Sequence, residues 1–345
     1  MADPAPAGVP GPTGRLPTVS AGTFRRLCVL SLVAVTAIVL TGAAVRLTGS
    51  GLGCADWPTC ATGHLAPPLH FHALVEFGNR LATVVVTVVV GVTFLAALRR
   101  RPARRDLVWL SAGLVAGVLA QAVMGGIVVY TKLNPYLVMA HFGASMLLVA
   151  DAVVLVHRAK RSYGPGTGRL LVPAALHRLT WAALGLLAVV ITAGTAVTGS
   201  GPHAGSAQGQ LVARRIPVPL RDMAELHSGL ALVLIGVCVG LAVSLHASAA
   251  PERVAKAARV LVVLLVAQAA IGYTQYFTHL PPLLVELHML GATALVIGTI
   301  QLLLSERAHP VEPPPVDPAD AEGDRHGTGD EPARGARDAG AAIAG

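Results

Sequence analysis

Charge is scarce in this sequence. Of its 345 residues 13% are Asp, Glu, Lys or Arg, against 54% hydrophobic, and the mean hydropathy is +0.65. A soluble globular chain carries about 25% charged residues, so that class is excluded and the bilayer is the expected solvent. Cysteine is scarce as well: there are four, and only Cys54 and Cys60 share a loop, which leaves no second pair for a zinc site. The apolar runs have few polar or broken stretches at their middles, as in TVVVTVVVG, which argues against a transporter with a midplane site. Residues 1–23 lack a basic-then-apolar signal with a cleavage pattern, so they are expected to be a disordered tail ahead of a first span that is retained.

What the sequence does have is length of apolar run. A spanning helix needs about 20 apolar residues, and eight runs qualify: 24–45, 72–98, 107–130, 137–157, 176–198, 222–246, 257–277 and 283–304. Lipid offers no hydrogen bonds to a backbone, so these runs predict an all-α integral membrane protein. The formal charge of +8 is not a nucleic-acid signal. Its basic residues cluster between spans two and three (Arg99, Arg100, Arg101, Arg104, Arg105) and between four and five (Arg158, Lys160, Arg161, Arg169), the positive-inside pattern. Both termini are therefore expected on the cytoplasmic side of a cell membrane. Arg214, Arg215 and Arg221 make the third outer loop an imperfect fit. Residues 305–345 read as a second cytoplasmic tail.

The sequence also repeats itself. At a constant offset of 147, Gln121 falls on Gln268, Gly125 on Gly272, Leu133 on Leu280, Pro135 on Pro282 and His141 on His288. The reading is two tandem four-helix bundles in parallel orientation, residues 24–160 and 173–304. The second and sixth spans align in two registers, with Glu76 over Glu225 or Asn79 over His227.

Ionisable residues inside a membrane are functional candidates by default. Here they are Glu76, His141, Glu225, His227, Glu286 and His288, all within a few residues of the outer ends. Two histidines on different helices at matching depth suit a flat macrocycle clamped between imidazoles, so His227 and His288 are read as axial ligands of a haem iron and His141 as a ligand or contact of a second tetrapyrrole. A lone histidine near a helix end is more often interfacial; the repeated placement outweighs that here. His157, His177 and His246 are expected to be interfacial anchors, and His72 is a weak candidate one turn from Glu76. Glu76 is the acid best placed to exchange protons, and its bland alternative is an ion pair with Arg80. Arg46 and Arg80, with Arg214 and Arg215, are candidate partners of haem propionates. Cys54 and Cys60, in CADWPTC on the oxidising side, are expected to form a disulfide; free thiols or a metal pair are the alternatives. Cys28 and Cys238 read as small apolar residues.

VRLTGSGLGCADWPTC, the EFGNR segment, QAVMGG with His141 and VELHMLGA together resemble the haem A synthase family over nearly all of residues 24–304. The resemblance implies an oxidoreductase that converts a pyrrole methyl of haem O to a formyl group through successive hydroxylations, giving haem A for cytochrome c oxidase. It implies a haem b cofactor in the C-terminal half, on His227 and His288, and the substrate haem in the N-terminal half, on His141. The family's Glu-x-x-His on the second span is met by Glu76, but Asn79 stands where the histidine is expected. Glu76 and Asn79 are then the expected catalytic pair, the first moving protons and the second hydrogen-bonding on the open side of the substrate haem. Haem O is the expected substrate. A complex with the haem O synthase, a protohaem farnesyltransferase, suits so apolar an intermediate, although no residue marks it. The electron partner is not identified by the sequence.

The competing class is a di-haem electron-transfer protein of the quinol or ferric reductase type. Such proteins stack haems across the bilayer on histidines roughly four turns apart on one helix. Here His141 and His157 are 16 residues apart and His227 and His246 are 19, which places both sites side by side at one face.

Overall fold

The computed structural model describes residues 18–54, 56–61, 66–161, 168–206 and 213–308. His64 and most of both expected tails, residues 1–17 and 309–345, lie outside the described residues. Among the described residues the chain forms eight α-helices: α1 Ala21–Leu47, α2 Phe71–Arg99, α3 Arg105–Tyr130, α4 Pro135–Ala159, α5 Ala174–Ser200, α6 Leu220–Ala247, α7 Glu252–Phe277 and α8 Pro282–Ser305. All eight are long and apolar enough to cross a bilayer, and the chain is an all-α membrane protein.

The helices outrun the apolar stretches by a few residues because polar residues cap them. Ser20 Oγ accepts from the Thr23 amide at the start of α1, His70 Nδ1 accepts from the Ala73 amide at the start of α2, and Asn134 precedes Pro135 at the start of α4. In the second half each helix starts directly after a proline: Pro173, Pro219, Pro251 and Pro281. Proline's fixed φ and missing N–H cost nothing at a helix start.

The helices close into two rings. α1 packs on α2 and α4, and α3 on α2 and α4; α5 packs on α6 and α8, and α7 on α6 and α8. α4 and α1 join the rings through α8, and α4 also contacts α5. Hydropathy does not separate the inner from the outer faces, because lipid is as apolar as a core. Small and hydroxyl residues mark the inside instead. On α1 the buried stripe is Phe24, Cys28, Ser31, Val35, Val39 and Ala43, at helical spacing, and Ser31 hydrogen-bonds Thr93 of α2 at 2.8 Å with both side chains fully buried. On α3, Gly113, Gly117, Gln121 and Gly125 recur every fourth residue and all face α4.

The α3–α4 and α7–α8 connections have the same backbone. Lys132 and Leu133 have φ of 54° and 59°, His279 and Leu280 of 64° and 60°. The Leu133 amide donates to Val128 O and the Leu280 amide to Gln275 O, the six-to-one closure of a helix C-terminus. At the basic end of the bundle, Val19 pairs with Arg99 and Arg101, and the segment after α8 pairs with the α4–α5 linker through Leu171 to Glu306 (2.8 Å) and Ala308 to Arg169 (2.9 Å).

Candidate functional site

The candidate residues gather at the end opposite the basic one. Here Cys54 and Cys60 form the expected disulfide, Cα to Cα 4.5 Å. The loop that it closes is fastened to α2 and α3. Arg80 Nη1 donates to the carbonyls of Asp56 (2.7 Å), Pro58 (3.2 Å) and Thr59 (2.7 Å), while Nη2 donates to Glu76 Oε1 at 2.5 Å. The Cys54 amide donates to the other Glu76 oxygen at 2.8 Å. Tyr130 OH donates to Trp57 O at 2.9 Å, and the Trp57 ring lies where Gly126 has no Cβ. Glu76 is 5% exposed with both carboxylate oxygens engaged.

One turn from Glu76, Asn79 Oδ1 accepts from Thr41 Oγ1 of α1 at 2.8 Å. His141, on α4, points at α3: a Cβ on Gly125 would stand 3.8 Å from its Cε1. Gln121 Nε2 donates to His141 O at 2.9 Å and to Ser145 Oγ at 2.5 Å, and His141 Nδ1 is buried with no protein partner. No hydrogen bond among the described residues joins His141 to Glu76 or Asn79. His72 is held by Ser50 Oγ at 3.0 Å.

In the second half His227 of α6 and His288 of α8 face each other, ring centres 6.2 Å apart and planes at 76°. His227 Nδ1 donates to Val190 O on α5 at 3.0 Å, which leaves Nε2 as the free nitrogen. His288 repeats the setting of His141: Gln268 Nε2 donates to His288 O at 2.6 Å, and its Nδ1 is buried without a partner. Glu286 keeps one buried oxygen, Oε2, also without a partner. Glu225 does not join the site; it pairs with Arg221 at 2.7 Å, both side chains being exposed. Arg46 crosses between the halves, donating to His203 O (2.8 Å) and Thr198 O (3.1 Å). Arg46 and Arg80, two of the four arginines expected at propionates, thus already spend donors on backbone carbonyls.

Residues 25–300 match the family described as cytochrome oxidase assembly protein. The chain belongs to this family. It is similar to the Heme A synthase of Geobacillus thermodenitrificans, 36% identical over 137 residues, which is 38% of this chain and 42% of that protein. The Heme A synthase of Geobacillus kaustophilus is 42% identical over 108 residues, 30% and 32% of the two chains, and that of Bacillus pumilus 31% over 144 residues, 40% and 47%. These matches span less than half the length of each relative.

The residues of this family member fit a haem. Among the described residues no three His, Cys, Asp or Glu side chains converge on one point, so a metal held by side chains alone is not the pattern. Two imidazoles supply only axial ligands, and a tetrapyrrole supplies the rest. The facing imidazoles of His227 and His288, ring centres 6.2 Å apart, would hold the iron of such a group between them.

Three features of this family member escaped the sequence reading. Thr41, the partner of Asn79, is one threonine in an apolar run. Asp151, in the middle of α4, lies against Gly113, whose Cβ would be 3.1 Å from Oδ2; a single acid is averaged away in so apolar a span. His177 is not an interfacial anchor but is 9% exposed, its Nδ1 donating to the fully buried Glu306 at 2.5 Å. Glu306 lies just past the last apolar run, where composition reads as tail.

Proposed function

We propose that the chain oxidises a pyrrole methyl group of haem O to a formyl group through successive hydroxylations, giving haem A for cytochrome c oxidase. The observation that supports this reading is the facing pair His227 and His288, with His227 fixed through Nδ1, in a chain of this family. In this reading haem b is held by His227 and His288, and the substrate haem by His141. Haem bound at these positions supplies one-electron chemistry at its iron.

The chain's own residues supply position and protons. Glu76 takes up and releases a proton at one carboxylate oxygen by letting go of either Arg80 or the Cys54 amide. Asn79, its Oδ1 turned to Thr41, presents its amide N–H groups where the resemblance leads one to expect histidine, so His141 is the one strong protein ligand on that side. Arg80 and Tyr130 fasten the disulfide loop over this end. We assign the basic end and both termini to the cytoplasm and the disulfide end to the outer face, and we read the two rings as a tandem repeat, on the shared Gln-to-His bonds and the shared connections. A haem O synthase is the proposed source of substrate.

The test is to co-express the chain with a haem O synthase in a host that lacks haem A, then to extract and separate the haems. Haem A is expected, and is expected to vanish in His288→Ala. Haem O left unconverted under adequate electron supply would overturn the reading.

A further inference from the structure

His227 and His288 each lie against a neighbouring helix at a residue without a side chain. On α5 that residue is Gly194, where a Cβ would meet His227 Cε1 at 2.9 Å, Nδ1 at 3.3 Å and Nε2 at 3.5 Å. On α7 it is Gly272, where a Cβ would meet His288 Cε1 at 3.1 Å and Nδ1 at 3.6 Å. The edge of each ring therefore stands closer than a Cβ ordinarily tolerates, so a side chain at either glycine requires its neighbour to shift. Packed interiors have little slack for such an atom.

The neighbouring helices are fastened around both rings. His227 is tethered by Nδ1 to Val190 O, one turn before Gly194 on the same helix. α8 is keyed to α7 in both directions. Gln268 of α7 holds His288 O at 2.6 Å, and its amide sits in a second notch, where a Cβ on Gly291 of α8 would overlap Gln268 Oε1. Gly272 admits His288, and Gly291 admits Gln268. An added methyl at Gly272 or Gly194 therefore moves the imidazole rather than the helix. Other glycines supply the contrast. A Cβ on Gly125 would be 3.8 Å from His141, an ordinary contact, and one on Gly185 of α5 would meet nothing within 4 Å.

We propose that Gly194 and Gly272 are positioning residues that set where the two imidazoles present their nitrogens to one iron; this rests on the haem reading above. Alanine favours a helix more than glycine does, so an effect of Gly→Ala here does not come from a weaker helix.

The test uses the full chain purified in detergent with the haem it retains, comparing Gly194→Ala, Gly272→Ala, Gly125→Ala and Gly185→Ala by electron paramagnetic resonance of the oxidised haem. Loss or displacement of the low-spin bis-imidazole signal is expected in the first two, with the wild-type signal kept in the last two. A second readout needs no haem: labelling of haem-free protein with diethylpyrocarbonate, mapped by mass spectrometry of peptides. Labelling of His227 is expected to change in Gly194→Ala and that of His288 in Gly272→Ala. Wild-type signals and wild-type labelling in both variants would overturn the proposal. A wild-type protein without low-spin haem would instead strike the haem reading, and the labelling would then decide the positioning role alone.

Discussion

Arg80 donates to three loop carbonyls and to Glu76 at once, so its guanidinium joins α2 to the disulfide loop and neutralises a buried acid in the same step. A planar fork with five donors does this; an ammonium does not. Removing one partner of a buried ion pair leaves the other charge uncompensated, at a cost of about 3 kcal/mol. Arg80→Ala is therefore expected to lower the thermal stability of the purified protein, and Arg80→Lys to recover only part of it. Glu76→Gln keeps the side-chain shape and one acceptor oxygen but sets its NH2 group against either the Arg80 guanidinium or the Cys54 amide, so it is expected to fold with lowered thermal stability while haem A formation falls. Wild-type stability in Arg80→Ala would show that the loop is held by other means. Asn79 teaches a related lesson. Read against the family pattern it is a missing histidine, whereas the structure shows a residue with its own partner, Thr41, on another helix.

Helices were legible because a bilayer demands long apolar runs. Their inward faces were not, since the outward faces are equally apolar: Val29, Val33, Val84 and Val88 are all exposed. Small and polar residues such as Ser31, Thr93 and Gly113 carry that information, at a density too low for hydropathy to register. The end of α8 shows the same limit. Glu306 is fully buried, accepting from Thr180 Oγ1 at 2.5 Å and from His177 Nδ1 at 2.5 Å, while Trp181 Nε1 donates to the far nitrogen of His177 at 3.3 Å. Burial holds the Glu306 carboxyl above its usual range, against the lowering effect of the Thr180 and His177 hydrogen bonds. A raised folded-state pKa means that the fold binds this proton more readily than the unfolded chain does, so the contribution is present below the usual carboxylate range and is lost as pH rises through the raised value. Glu306→Gln is expected to flatten that decline in a series of thermal melts across pH. Glu306→Ala leaves two buried donors without an acceptor, at a cost of about 3 kcal/mol, and is expected to be unstable at every pH.

Among the described residues the helices form two rings joined by α4, α8, α1 and α5, and at the disulfide end by a bridge from Gly51 to Gly205 and by Arg46. Of the candidate site, the three histidines, the disulfide and Glu76 could be read from the sequence, because each is an expensive or chemically marked residue at a repeated place. What holds them was legible only in part: Gln121 and Gln268 stand out as a repeated pair, but their side-chain bonds to the His141 and His288 carbonyls and the bond from His227 to Val190 O end on backbone atoms, which leave no mark in residue type. On the proposed function, haem b lies in one ring and the substrate haem in the other. The most direct measurement is the haem content and low-spin spectrum of His141→Ala beside His288→Ala, each purified from cells that make haem O. His141→Ala is predicted to keep a low-spin haem b and leave haem O unconverted, and His288→Ala to lose that haem b; loss of the same haem from both variants would contradict two sites in two halves.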